Sequence, residues 1–108
     1  SAASDVYKRQ ALYSVQVSTG AWVTIYSSTE ARTADSSRSI STDPVAGSGI
    51  VAEMISSGNG ALTQLFTPAT IGFNAEPSPT TNIPVKIVNN SGTTASITVT
   101  LTYLPLEV

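Results

Sequence analysis

Neither cysteine nor histidine occurs in the 108 residues of this chain. Without cysteine there can be no disulfide, no thiolate metal ligand and no thiol nucleophile. Without histidine the commonest general base and the commonest zinc ligand are missing too. The usual serine and cysteine triads therefore cannot be built. Charge is scarce: Asp, Glu, Lys and Arg make up 11% of the residues, against about a quarter in an average domain. No cationic stripe exists to displace counterions, which argues against nucleic-acid binding and against electrostatic membrane attachment. No apolar run approaches the roughly 18 residues that a membrane-spanning helix needs. A convincing helical period is missing as well.

What is present is hydroxyl and β-branched. Hydrophobic residues reach 41%, too many for a disordered chain of low charge, and the length suits one domain able to bury its own core. Period-two alternation recurs. Tyr13, Val15 and Val17 share one face of Ala11–Val17, opposite Ser14 and Gln16. Ala21–Tyr26 follows a turn at Ser18-Thr19-Gly20, and Ile50–Ile55 reads as a third strand with Glu53 its single charge. Ser57-Gly58-Asn59-Gly60 carries the signal of a primed hairpin turn, with Ala61–Thr67 returning and Pro68 limiting its pairing. Ile71-Gly72-Phe73-Asn74 is a short apolar piece before a proline-rich loop, Glu76–Asn82. Pro84 belongs near a strand start, ahead of Val85–Asn89, and Asn90-Ser91-Gly92-Thr93 is a further turn. In the last strand Ile97, Val99, Leu101 and Tyr103 alternate with Ser96, Thr98, Thr100 and Thr102. Strands at such spacing indicate an all-β fold, an antiparallel β-sandwich or jelly-roll-like domain.

One long loop, about residues 27–48, breaks the rhythm and holds most of the charge found outside residues 1–10. Loops beyond roughly 12–15 residues are uncommon in compact domains unless they serve a purpose. It is expected to be an ordered excursion, packed on the domain or reaching a neighbour, with Arg32, Asp35 and Arg38 in paired contacts.

Candidate chemistry is thin. Lys86 could serve as the base of a Ser-Lys pair, but alternation sets it opposite Val85 and Ile87, so a solvated charge is the expected role. Asp35 with Asp43, or Glu53 with Glu76, could act as carboxylate pairs, yet no motif supports them and Asp43-Pro44 reads as a turn start. Glu30, Asp35 and Asp43 are oxygen ligands of the kind calcium uses, without the spacing of a calcium loop. Asn89-Asn90-Ser91 is formally a glycosylation sequon. Trp22, Tyr26 and Tyr13 could stack on a sugar; core or interface packing is the expected role of Trp22. No catalytic, cofactor-binding or metal-binding residue is expected, and no cofactor.

Ser1–Gln10 (SAASDVYKRQ) resembles one reading frame of a sequencing-adapter oligonucleotide. The expectation is that these ten residues are an artefact, that the native start is lost, and that residues 11–108 form the domain. Setting them aside removes Lys8, Arg9 and Asp5, leaving three basic and six acidic residues and a net charge of −3. Within 11–108, Trp22-Val23-Thr24-Ile25-Tyr26, Arg32-Thr33-Ala34-Asp35-Ser36-Ser37-Arg38-Ser39 and Thr42-Asp43-Pro44 leading into Gly47–Glu53 resemble small virion structural proteins of tailed bacteriophages, especially marine cyanobacterial phages. Ile71–Asn74, Thr81–Asn89, and Ser91-Gly92-Thr93 through Leu104-Pro105-Leu106-Glu107 fit the same pattern.

That resemblance implies a non-enzymatic subunit on the exterior of a phage particle, such as a capsid decoration protein. Its partners would be copies of itself, with a trimer as the expected order, and other virion proteins. Arg32, Asp35, Arg38, Asp43, Trp22 and Tyr26 are the candidate subunit contacts. The alternatives are the distal glycan-binding domain of a tail fibre or adhesin, or an extracellular filament subunit that lends a strand to its neighbour.

Two outcomes are expected from sequence. Deleting residues 1–10 should leave the melting temperature unchanged. Ile97, Val99, Leu101 and Tyr103 should face the core together with Val85, Ile87 and one face of Ala21–Tyr26, so that Leu101→Ala lowers stability by about 2–5 kcal/mol in urea denaturation.

Overall fold

The computed structural model describes residues 9–45, 47–73 and 83–105, and only the backbone of residues 9, 10, 67–69, 71–73 and 105. Alternation becomes strand in β1 (Arg9–Val17), β2 (Ala21–Tyr26), β3 (Ile50–Ile55), β4 (Leu62–Phe73), β5 (Val85–Asn89) and β6 (Val99–Pro105). A short helix, α1 (Thr29–Ala34), lies between β2 and β3. The strands form two three-stranded antiparallel sheets, ordered β4-β1-β6 and β3-β2-β5. The all-β expectation holds at this level.

Most connections cross from one sheet to the other; of the consecutive strands only β2 and β3 are paired. The expected hairpin between Ile50–Ile55 and Ala61–Thr67 is therefore not formed, since β3 joins β2 and β4 joins β1. A primed Asn-Gly turn needs positive φ at Asn59, and the positive φ here belongs to Gly58. The connection is instead pinned against the Ser18-Thr19-Gly20 corner. Gly20 N–H donates to the Gly58 carbonyl at 2.8 Å, and Ser56 N–H to the Ala21 carbonyl at 2.9 Å. A Cβ on Gly20 would lie 2.5 Å from the Gly58 oxygen, so the close approach of these backbones requires glycine.

A bulge resets β1. Leu12 pairs with Tyr103 and Ser14 with Thr102, which leaves Tyr13 as the extra residue. Leu12, Val15 and Val17 are consequently buried, while Tyr13, expected beside the valines, is 43% exposed. On the other side Leu12 pairs with Thr70 and Ser14 with Leu65, so Pro68 falls where the ladder is irregular and a missing N–H does no harm. The strand then resumes, and Ile71–Phe73 is the end of β4, not a separate piece. Asn74 and the loop Glu76–Asn82 lie outside the described residues.

The core gathers Leu12, Val15 and Val17 from one sheet and Ala21, Val23, Ile25, Ala52 and Met54 from the other. Ile97, Val85, Val99 and Leu101 are only partly buried against it. Ile87 and Tyr103, expected inside, are 46% and 41% exposed. The reason is position: β5 and β6 are edge strands with a neighbour on one side, whereas β1 and β2 are central. All six residues of β2 are buried, on both faces. The outer face of β6 keeps the expected hydroxyls, with Thr98, Thr100 and Thr102 exposed.

The excursion includes a helix that periodicity did not reveal. Six residues are too few to show a period, and the signal lies in the cap: Ser28 Oγ accepts the Ala31 N–H at 3.0 Å, with Glu30 in the first turn.

Stability should follow this geometry. Ile25→Ala, at a site 3% exposed, is expected to lose about 2–5 kcal/mol in urea denaturation, and Leu101→Ala clearly less. Equal losses would put the centre of the core elsewhere. Truncation of residues 1–10 is now expected to lower the melting temperature, because it removes the pairing of Arg9 with Phe73 and of Gln10 with Gly72 and Pro105.

Candidate functional site

Successive side chains of a strand point to opposite faces, so burying Val23 and Ile25 turns Trp22, Thr24 and Tyr26 outward together. Register then sets Glu53 of β3 and Lys86 of β5 on either side of Thr24. Directly opposite residues share a face. The outer row thus reads Glu53–Thr24–Lys86, an acid and a base flanking a hydroxyl that is fully buried.

The excursion closes over that row. Helix α1 ends at Asp35, whose N–H caps back onto the Ala31 carbonyl. A carboxylate at a helix C-terminus is unfavourable by itself, but Asp35 is surrounded by donors. Arg38 grips it with two bonds, Nε to Oδ1 at 2.8 Å and Nη2 to Oδ2 at 3.2 Å. Tyr26 donates its hydroxyl to Oδ2 at 2.6 Å, and Lys86 Nζ donates to the Asp35 backbone carbonyl at 3.1 Å. The same Arg38 reaches Glu53 Oε2 through Nη2 and the Thr42 carbonyl through Nη1. Glu53 Oε2 also accepts from Trp22 Nε1 at 2.7 Å and from Thr24 Oγ1 at 3.0 Å. The indole ring meets both cations, Lys86 Nζ at 4.2 Å and the Arg38 guanidinium at 5.1 Å from its centroid.

Two carboxylates face two cations, and each has several partners. The Arg38 and Asp35 side chains are 8% and 9% exposed, so the pair sits where an unpartnered charge would be costly. Protonation is displaced away from neutrality. The Arg38 hydrogen bonds, against the opposing effect of burial, hold the Asp35 carboxyl down at about 2. Burial, reinforced by the neighbouring Asp35 carboxylate, pushes the Tyr26 hydroxyl up to about 12. For Glu53, burial acts to raise the pKa, but donation from Arg38, Trp22 and Thr24 outweighs it and keeps the acid below its ordinary value. Arg38 is raised further by its bonds to Asp35 and Glu53. Acid–base catalysis wants groups poised near the working pH; these are held far from it.

Trp22, Tyr26, Asp35 and Arg38 therefore come together inside a single chain, while Arg32 and Asp43 stay exposed. Arg32 makes no ion pair among the described residues. Lys86, expected as a solvated charge, is instead folded over Trp22 with its side chain 15% exposed. The sugar-stacking platform is not assembled, because Tyr13 belongs to the other sheet. Among the described residues no group of three or more Asp or Glu could hold a metal ion, so Glu30, Asp35 and Asp43 do not converge. Glu76 lies outside the described residues. A groove of about 440 Å³ along Pro44, Val45 and Gly47–Val51 is lined without a charged side chain. The Asn89 amide of the formal sequon is tied down, donating to the Thr93 carbonyl at 2.7 Å while its oxygen accepts from Ser91.

Sequence reasoning singled out Glu53 and Lys86 for other roles and did not place them with Thr24 in one cluster. Their signal was parity: each alternates with apolar residues, but which strands are neighbours was not readable. No protein-family model, no curated protein and no solved structure matches the chain.

The cluster predicts an acid response. The unfolded chain protonates Asp35 near 3.8 while the folded chain holds it at about 2, so on acidification the unfolded state takes the proton first. The stabilisation is present above the unfolded value and is lost as pH falls from 3.8 towards 2. Thermal melts should show wild type losing more over this window than D35N, which is less stable at neutral pH; parallel curves would place the acid sensitivity in other groups. Arg38→Ala should cost about 3 kcal/mol in urea denaturation, because it takes the guanidinium from two carboxylates that keep only their other donors.

Proposed function

We propose that this chain is a non-enzymatic structural subunit, a β-sandwich whose two sheets enclose the shared core and whose work is done by its surfaces in a larger assembly. The observation that carries the reading is where charge lies. Among residues with described side chains, Asp35, Arg38, Glu53 and Lys86 are bound to one another. The exposed charges are Glu30, Arg32 and Asp43, all in the excursion. The strand exteriors present hydroxyls and large apolar groups: Leu65 is 65% exposed, Ile55 and Leu104 50%, Ile87 46%. Single exposed apolar residues are ordinary, but here every edge strand carries them. A free-standing domain favours a charged exterior, and a subunit covered by neighbours does not need one.

Catalysis is disfavoured on the same grounds, since the polar cluster is closed by its own partners and its acids and phenol are held far from neutral pH. Placement of the assembly on the exterior of a tailed-phage particle rests on the segments of likeness quoted above. With Trp22, Tyr26, Asp35 and Arg38 engaged within the domain, Arg32 and Asp43 remain as excursion residues open to a neighbour. The glycan-binding and filament readings gain no particular support from the geometry.

Size-exclusion chromatography with light scattering on the full chain tests the reading. A homo-oligomer is expected at micromolar concentration. A species that remains monomeric as concentration rises, and that does not sediment with particles, would overturn it.

A further inference from the structure

Among the described residues four strands are sheet edges with a neighbour on one side only, and three carry a device that hinders pairing. β4 contains Pro68 and is irregular against β1. β3 has Glu53 near its centre, and β5 follows Pro84 and contains Lys86. From Val99 to Leu104, β6 has no charge, no proline and no glycine.

Its backbone is also set for pairing. Ser18 N–H donates to the Thr98 carbonyl at 3.0 Å, next to the pairs Val17↔Val99 and Gln16↔Thr100. Antiparallel alternation then turns the backbone groups of Thr98, Thr100 and Thr102 towards β1, and those of Val99, Leu101 and Tyr103 towards the open side. Among the described residues, no turn, loop or cap hydrogen bond engages the backbone of Val99–Leu104.

We propose that β6 pairs antiparallel with β6 of a second copy of this chain, about a two-fold axis at Leu101, joining two three-stranded sheets into one of six. This deepens the assembly reading and rests on it. It also replaces the three-fold expectation, because antiparallel pairing of identical strands is two-fold.

Charge selects the occupant. In such a pair a charge at the axis meets its own image, and charges near it lie close to theirs; β6 brings none. Leu101 faces Leu101 of the second copy, and Val99 faces Tyr103, both through residues whose backbone groups turn to the open side. Thr100 faces Thr102 on the outer face, once on each side of the axis. Hydroxyl pairs and aromatic–β-branched pairs are among the favourable cross-strand combinations. Tyr103, 41% exposed in the single chain, gains Val99 of the second copy as its cross-strand neighbour. Beyond them Pro105 ends the ladder, having no N–H to give.

Light scattering on the full chain and two double variants tests this. Wild type is expected to be a dimer or to assemble in even numbers. T100K/T102K sets like charges opposite each other twice and should raise the dimer dissociation constant about tenfold or more. T100K/T102E, altered at the same exposed positions, sets opposite charges across the axis and should recover the dimer. Amide exchange of wild type supplies a reading that needs no variant: Val99, Leu101 and Tyr103 should become protected as concentration rises. A trimer, an oligomer indifferent to T100K/T102K, a T100K/T102E variant that stays dissociated, or exchange at these amides independent of concentration would overturn the β6 pairing and leave the assembly reading in place. A strictly monomeric wild type would overturn both.

Discussion

Arg38 is the side chain on which the closed half of this structure depends. It comes from a loop that forms no sheet, yet it holds Asp35 in two bonds, reaches Glu53 on β3 and fastens the Thr42 carbonyl of its own loop. Beneath it lies the outer face of β2, with Trp22 and Tyr26 buried. Had the loop gone elsewhere, those aromatics would face water and the central strand would be covered on one side only. A buried ion pair is poor evidence of added stability, since an apolar replacement can do as well. A planar guanidinium nevertheless requires defined directions. The directions met here fix where the excursion lies, which apolar contact alone would leave free to slide.

The rest of the architecture is arranged to let that loop be long. Only β2 and β3 are consecutive and paired, and the connection between them is the excursion. At the far end of the sheet β3-β2-β5 the flanking corners are fastened by short hydrogen bonds. Gly20 against Gly58 brings the β1–β2 corner onto the β3–β4 corner, and Asn90 joins it, donating its N–H to the Gly20 carbonyl and its side-chain amide to the Ser56 carbonyl. On the excursion's own side Gly49 does a similar job. Its carbonyl receives the Ser27 N–H at 2.8 Å, and a Cβ there would meet Ala31 Cβ at 2.7 Å. The loop is therefore closed at its base before Arg38 closes it at its centre.

Much of this was legible, and the failures have physical causes. Alternation located β1, β2, β3, β5 and β6, because a strand with one buried face must repeat every two residues. It misplaced Tyr13, since a bulge inserts a residue without any mark in composition. It read Asn59-Gly60 as a hairpin turn, since the dipeptide reports local backbone tolerance and says nothing about which sheet the next strand joins. Partner choice among strands is non-local, and the cluster inherits that difficulty: Glu53 and Lys86 are remote in sequence and meet only because both flank β2. Asp35 and Arg38 were expected to pair, being three residues apart. That Trp22 and Tyr26 would lie under them required the topology.

The distribution of charge then bears on how assembly can work. The paired charges are held inside, where salt screens them little. Glu30, Arg32 and Asp43 sit on the excursion, where screening is strong. An assembly joined through the excursion would loosen as salt is added. One joined through the hydroxyl and apolar strands has no exposed ion pair to lose, and salts excluded from protein surface would tighten it. Low charge is thus more than a compositional oddity. In the proposed assembly it would let the strands meet their own copies without repulsion, and among residues with described side chains the exposed charges lie on the excursion. In such an assembly the excursion would choose the partner and the sheets would hold it.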